Sequence, residues 1–235
     1  KDLYCEIGSG RAILTREVCR LGGKVITVEL DEEMNPVVKT NCLKENNLKI
    51  GRQNALDFET DDLGEYKVVS NLTYYITSPL IRKMLECNNP PQELVLLVQK
   101  EVAERICAKP SRMSILAVSV QFYGDPSLVA VVKKEAFYPT PKVDSAILKI
   151  RVYHQPLFDV DKKIFFRLVK AGFGEKRKQL INSFSGGLSL SRDETIKIFK
   201  KAGLNPEYRA ESLSMTDWHK LYISYCELKK CDEVN

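Results

Sequence analysis

The residues Glu6-Ile7-Gly8-Ser9-Gly10-Arg11-Ala12 follow an apolar run and open an amphipathic one. Glycines at such a strand-to-helix turn let backbone approach a ligand closely, and the helix N-terminus offers free N–H groups. Glu29 ends the next apolar run, 21 residues after Gly8. A carboxylate placed there grips both hydroxyls of a ribose. A dinucleotide site would carry a third glycine at position 13, where this chain has Ile13. Glu6, an acid before the first glycine, is more typical of sites whose ligand has ribose and adenine but no pyrophosphate. The competing reading is an ordinary tight turn without a ligand, and the placement of Glu29 argues against it. A second polar cluster, Ser70-Asn71-Leu72-Thr73-Tyr74-Tyr75, follows the fourth apolar run. It falls at the carboxyl edge of a sheet, where α/β folds bind ligands.

Positioning these residues requires strands that alternate with helices. The pattern predicts strands at 3–7, 24–29, 49–53, 67–71, 93–99, 127–134 and 145–152. It predicts helices at 12–21, 32–46, 78–87 and 100–108 between them. Such alternation implies an α/β fold with a mainly parallel, doubly wound sheet. After Gln155-Pro156 no strand pattern survives, and 161–173 and 175–184 read as helices. Ser191-x-x-Glu194 is a capping box opening a helix that stops at Gly203, and Ser214-x-x-Asp217 resembles a second box. The helix it opens carries Trp218, Leu221, Tyr222 and Tyr225 on one face. Two domains are expected, 1–152 and an all-helical 160–235.

The 235 residues can bury a sizeable core. Hydrophobic residues make up 44% and charged residues 29%, a globular composition with no run long enough to span a bilayer. The seven cysteines, Cys5, Cys19, Cys42, Cys87, Cys107, Cys226 and Cys231, are odd in number and form no C-x-x-C pair, which argues against a disulfide framework. Two histidines, His154 and His219, leave too little for a zinc site. A net charge of +5 is modest, but the window from Asp161 to Ile181 alone holds seven basic and two acidic residues. Its excess equals that of the whole chain. A concentrated basic stripe suits a polyanion, and a solvated helix face is the alternative. The abrupt opening at Lys1-Asp2-Leu3 reads as a strand entered directly, with a segment expected upstream.

Several motifs together resemble one family. Ser70-Asn71-Leu72-Thr73-Tyr74 matches the Asn-Leu/Ile-Pro-Tyr of the ribosomal RNA adenine dimethyltransferases. Phe137-Tyr138-Pro139-Thr140-Pro141-Lys142-Val143-Asp144-Ser145 matches their Phe-x-Pro-x-Pro-Lys-Val-Asp-Ser, which is highly specific. Leu94 to Arg105 resembles their strand and Gln-Lys-Glu-Val-Ala-Glu-Arg helix. Phe173-Gly174-Glu175-Lys176-Arg177-Lys178-Gln179-Leu180 resembles the Phe-x-x-Lys/Arg-Arg-Lys-x-Leu segment of the small-subunit branch. The chain departs from the pattern at Ala12, for a glycine; Asn54, for an aspartate, with Asp57 in reserve; and Thr73, for a proline. A Gln-x-Phe-Leu element that closes over the cofactor in the family precedes the point where this chain starts.

The resemblance implies a Rossmann-like S-adenosylmethionine methyltransferase sheet with a small all-helical C-terminal domain. It implies N6,N6-dimethylation of adenosines in the small-subunit ribosomal RNA of a pre-ribosomal particle, by a cytoplasmic monomer that needs neither metal nor membrane. Asn71, Leu72, Tyr74 and Phe137 are the expected catalytic residues. Glu6, Gly8, Ser9, Gly10, Glu29, Leu30, Asn54, Ala55 and Asn71 are expected at S-adenosylmethionine, and Lys176, Arg177 and Lys178 at RNA. The Asn71 side-chain oxygen and a backbone carbonyl would hold the two amine hydrogens, while Tyr74 and Phe137 stack on a base taken out of its helix. Two alternatives stand: the large-subunit relatives that confer macrolide resistance, which usually have Asn where this chain has Asp144, and a non-catalytic ribosome assembly factor on the same scaffold. A DNA adenine methyltransferase would show Asp/Asn-Pro-Pro-Tyr, a string this chain lacks.

Overall fold

A computed structural model describes residues 2–42, 44–72, 75–175 and 178–232, apart from the side chains of 52 and 230–232. The strands are Leu3–Ile7 (β1), Lys24–Glu29 (β2), Leu48–Arg52 (β3), Lys67–Asn71 (β4), Glu93–Gln99 (β5), Gly124–Val132 (β6) and Ser145–Val152 (β7). They form one sheet of order β3-β2-β1-β4-β5-β7-β6. The five strands from β3 to β5 run parallel, and β7 and then β6 add antiparallel at one edge. This is the expected α/β class. The chain winds outward from β1 to β2 and β3 on one side and to β4 and β5 on the other. The order therefore reverses between β1 and β4, the switch point at whose carboxyl edge such sheets bind ligands.

Alternating strand residues build the core. Cys5 and Ile7, Val25, Val68, Leu94, Leu96 and Val98, and Ala146, Leu148 and Ile150 are all buried. Each large aliphatic side chain in such a set contributes about 1.5–3 kcal/mol of transfer free energy. Helices Ile13–Arg20 (α1), Met34–Asn41 (α2), Thr77–Glu86 (α3) and Lys100–Ile106 (α4) intervene between strands. Pro36 is tolerated in the first turn of α2, where its missing N–H has no helical acceptor. Pro126 sits in β6, the edge strand, where a missing donor costs least.

Two compact units emerge: residues 1–104 with 123–154, and residues 105–122 with 155–235. The second contains Ile115–Tyr123 (α5, to residue 122), Lys162–Phe173 (α6), Leu180–Leu188 (α7), Arg192–Ala202 (α8) and Met215–Asp232 (α9). Helix α5 has no counterpart in the sequence reading. Its Ile-Leu-Ala-Val-Ser-Val run is apolar on nearly every face, so it shows no helical period. The Ser114 hydroxyl starts it by accepting from the Ala117 N–H at 3.1 Å. Tertiary packing then claims it for the helical unit: Phe122 stacks on Phe165 at 5.0 Å and meets Phe166 edge-on at 5.3 Å.

Both capping expectations hold. Ser191 and Glu194 exchange side-chain and backbone bonds at the start of α8, and Ser214 and Asp217 do so at α9. Trp218 is fully buried and stacks on Phe173 at 5.5 Å. A side chain at Gly172 would meet the Trp218 ring at 2.5 Å and Leu180 at 2.9 Å, so only glycine lets α6 approach this closely. Helix α7 departs from expectation: it begins at Leu180, not 175. Gln179 is extended, and the Leu180 N–H is taken by the Tyr208 carbonyl at 2.7 Å. Glu175 and Lys178 stand in the preceding turn, and Lys178 does not open the helix. Among the described residues no helix is long and apolar enough to cross a membrane.

Candidate functional site

The β1–α1 loop is wound through the left-handed region, with φ of +74° at Gly8, +47° at Gly10 and +60° at Ala12. The Gly8 N–H donates to the Val28 carbonyl and the Ala12 N–H to the Ser9 carbonyl, each at 2.8 Å. No atom comes within 4 Å of where a Cβ would stand on Gly8 or Gly10. Those faces are open to an approaching ligand, and a side chain there would be both strained and in the way. Ala12 bears the left-handed strain with its methyl packed against Val38 and Cys42.

Glu29 closes the loop from β2. One carboxylate oxygen accepts from the Gly10 N–H at 3.0 Å and the other from the Asp31 N–H at 3.1 Å. The residue is 9% exposed, which is enough for outside contact. Two amides thus aim the carboxylate before any ligand arrives, and each oxygen keeps a second lone pair. The Ser9 hydroxyl is buried with no partner among the described residues. Leu30 is exposed beside them. Glu6 is different: it is 2% exposed, and the Thr15 hydroxyl donates to it at 2.5 Å. Burial pushes its carboxyl up to about 7, with a smaller push from the Glu29 charge and a partial offset from Thr15. It lies buried in β1, two residues before Gly8.

Asn71 is the last residue of β4 and is exposed. Glu6 lies beside Val69 in the ladder, so Asn71 leaves the sheet level with Gly8. The Ser70 hydroxyl donates to the Ile7 carbonyl, tying β4 to β1 just below the loop. Leu72 is buried and its N–H donates to the Leu97 carbonyl at 3.3 Å. Thr73 and Tyr74 lie outside the described residues. Phe137 is half-buried in the loop between β6 and β7. Asp144 organises that loop: its carboxylate accepts from the Lys133 ammonium and the Lys134 N–H, each at 3.1 Å. These donors hold its carboxyl below the usual range. Its backbone carbonyl accepts from the Lys100 N–H at 3.0 Å.

Asn54 is exposed after β3, and its side-chain oxygen accepts from the Leu56 N–H at 2.9 Å in its own turn. One lone pair expected for a cofactor amine is therefore spent locally. Ala55 is half-buried and Asp57 exposed beside it. In the helical unit, Lys176 and Arg177 lie outside the described residues. Lys178 is ion-paired with Glu175 at 2.5 Å, and Arg167 donates to the Tyr225 hydroxyl. Sequence reasoning missed three supports: Thr15 on Glu6, the Asp31 amide on Glu29, and the Ser70 tie. A buried acid needs a donor, and Thr15, placed on the inward face of α1, was the signal for the first. Among the described residues, no group of three or more His, Cys, Asp or Glu is placed to hold a metal ion.

The family described as "Ribosomal RNA adenine dimethylase" matches residues 1–227. The chain belongs to that family. Within it, a protein of Dehalococcoides mccartyi named "Ribosomal RNA small subunit methyltransferase A" is 41% identical over 229 residues, covering 95% of this chain and 79% of the relative. One of the same name from Clostridioides difficile is 36% identical over 230 residues, covering 94% and 80%. Among solved structures, a dimethyladenosine transferase from Plasmodium falciparum aligns with a TM-score of 0.83 at 26% identity, over 97% of this dimethylase and 91% of that chain. The 23S rRNA methyltransferase ErmE aligns at 0.76 and 22% identity, over 95% and 91%, a likeness of fold.

Proposed function

We propose that this dimethylase transfers methyl groups from S-adenosylmethionine to the exocyclic amine of adenosines in small-subunit ribosomal RNA, twice per base. The observation that carries the reading is the placement of Asn71 level with Gly8 at the switch point, beside a glycine loop closed by Glu29. Relatives named for the small subunit match at 41% and 36% identity, whereas the large-subunit enzyme shares the fold alone. A ribosomal particle as substrate implies work in the cytoplasm.

The residues present fit the cofactor. Open glycine faces, an unpartnered Ser9 hydroxyl and an oriented Glu29 carboxylate suit a ribose-bearing cofactor. S-adenosylmethionine, when bound, supplies an electrophilic methyl group on a sulfonium. Glu29 would hold the ribose hydroxyls, and Leu30, Asn54 and Ala55 would surround the adenine. The chain's own task is to prepare the nucleophile. An adenine amine is poor because its lone pair is delocalised into the ring. Asn71 accepts one amine hydrogen and the Leu72 carbonyl the other, which favours a pyramidal nitrogen with its lone pair free. Phe137, with Tyr74, supplies the aromatic face that an unstacked base requires.

Glu29→Ala is expected to weaken cofactor binding by about 1.5–3 kcal/mol, the range for losing a charged acceptor. Calorimetry that gives the wild-type affinity in a folded variant would take Glu29 out of the site. The basic segment 176–178 of the helical unit is proposed to contact RNA phosphates, for which Lys178 exchanges its exposed Glu175 partner. Changing Lys176, Arg177 and Lys178 to glutamine should flatten log affinity against log salt by about two to three units. An unchanged slope for particle binding excludes the segment.

The deciding experiment incubates the protein with labelled cofactor and under-methylated small or large subunits, then digests the RNA to nucleosides. Labelled dimethyladenosine from small subunits is the expected product. Label in large subunits alone overturns the substrate, and no label in either makes the protein a binding factor.

A further inference from the structure

Tyr138 is the most exposed large apolar side chain among the described residues, at 101% of its reference area. A single exposed apolar residue needs no explanation by itself. Its position, its neighbours and the stiffness of its loop give this one a meaning.

The loop from Lys133 to Asp144 joins β6 to β7. Ser145, the first residue of β7, pairs with Gln99 at the carboxyl end of β5, and Asn71 pairs with Leu97 two residues earlier on the same strand. The loop therefore meets the sheet at the edge that carries Asn71, about 10 Å away across two strand spacings. It contains three lysines, Lys133, Lys134 and Lys142, all exposed. Asp144 pairs with Lys133, and Lys134 and Lys142 are exposed with one further acid in the loop, Glu135. Stiffness comes from several bonds. The Asp144 carboxylate takes the Lys134 N–H, and its carbonyl takes that of Lys100. The Phe137 N–H donates to the Lys134 carbonyl at 3.2 Å, and the Thr140 hydroxyl donates to the Phe137 carbonyl at 3.3 Å. Tyr138 is thus presented bare on a braced loop, next in chain to Phe137.

An aromatic face flanked by lysines is the surface that single-stranded nucleic acid recognises: each base offers a π-face and each link a phosphate. We propose that Tyr138 stacks on a nucleobase flanking the adenosine under attack, with Lys134 and Lys142 against the adjoining phosphates. This deepens the RNA reading above and rests on it. A base drawn out of its helix leaves a neighbour with one unstacked face, and Tyr138 covers that face. Stacking pays no desolvation penalty for a polar group, and the braced loop loses little freedom when it forms.

The test compares wild type, Tyr138→Ala and Tyr138→Phe in two measurements. The first is equilibrium binding of a single-stranded adenosine-rich RNA, followed by fluorescence. The second is methyl transfer to under-methylated small subunits, resolved into kcat and KM. The alanine variant should bind the RNA about 10-fold more weakly and raise KM for the particle by about 10- to 100-fold. Its kcat, cofactor affinity and thermal midpoint should stay near wild type, and the phenylalanine variant should behave as wild type. Equal RNA affinity for wild type and the alanine variant overturns the proposal, even if KM rises, since that pattern means a ribosomal protein touches Tyr138. A phenylalanine variant as weak as the alanine one also overturns it, in favour of a hydroxyl hydrogen bond. If wild type methylates no subunit while RNA binding still depends on the ring, the substrate reading falls and the stacking stands.

Discussion

Replacing Asn71 by alanine is expected to cut the turnover of methyl transfer by about 10²–10³-fold, the loss typical of removing one oriented polar group from a reacting centre. Cofactor affinity should stay close to wild type, because the loop that would hold the cofactor is braced by Glu29, Val28 and Ser9 rather than by Asn71. The fold should survive as well. Asn71 is exposed at the end of β4, and the strand is secured by the Ser70 hydroxyl on Ile7 and the Leu72 amide on Leu97. Single-turnover kinetics on small subunits, with calorimetry of cofactor binding, separate the two effects. Collapse of cofactor binding with normal turnover at saturation would reassign Asn71 from the amine to the cofactor.

Glu6→Gln is expected to make the protein more stable at pH 8 by up to about 3 kcal/mol and to leave it nearly unchanged at pH 4.5. The folded carboxyl titrates at about 7 against an ordinary 4.5. A raised acid binds its proton more tightly when folded than when unfolded. As pH rises from 4.5, the unfolded chain ionises first and stability falls, by about 1.4 kcal/mol per unit at most. The loss is complete above pH 7, where both states are ionised and the folded one buries a charge beside Glu29. Glutamine carries no charge to desolvate, yet its side-chain oxygen still accepts from Thr15. Urea midpoints at several pH values measure the difference. A gap between variant and wild type that does not change with pH would mean that the Glu6 carboxyl titrates alike in the folded and the unfolded chain.

Much of the cofactor unit was legible because its signals are local. β1, β2, β4, β5 and β7 fall where the apolar runs predict them, since five parallel or central strands must be apolar to be buried. Both capping boxes were legible for the same reason: the bonds span three residues. Misses fall where the deciding contact is distant in the chain. Helix α5 hides in a run apolar on all sides, and its membership of the helical unit depends on Phe165 and Phe166, more than forty residues away. Helix α7 starts five residues late because the Tyr208 carbonyl captures the Leu180 N–H. The strand expected at 127–134 begins at Gly124, where pairing with β7 extends past Pro126.

Residue types and spacings were enough to establish the class of sheet, the glycine turn with its acid on the next strand, and a family whose motifs bracket Asn71 and Phe137. These follow from short-range rules: period, caps, and the backbone angles glycine allows. Tertiary structure alone decided the surroundings of each acid. Spacing in the chain set Glu29 toward a ribose and put Glu6 before the first glycine, without showing the burial or the partners of either. The fold gives Glu29 two amides and a small exposed area, and gives Glu6 a buried Thr15 and a raised proton affinity. It likewise spends one lone pair of Asn54 on Leu56 and leaves Tyr138 bare on a braced loop. Hydrogen bonding and burial depend on which segments meet across the sheet, and no spacing along one chain specifies that.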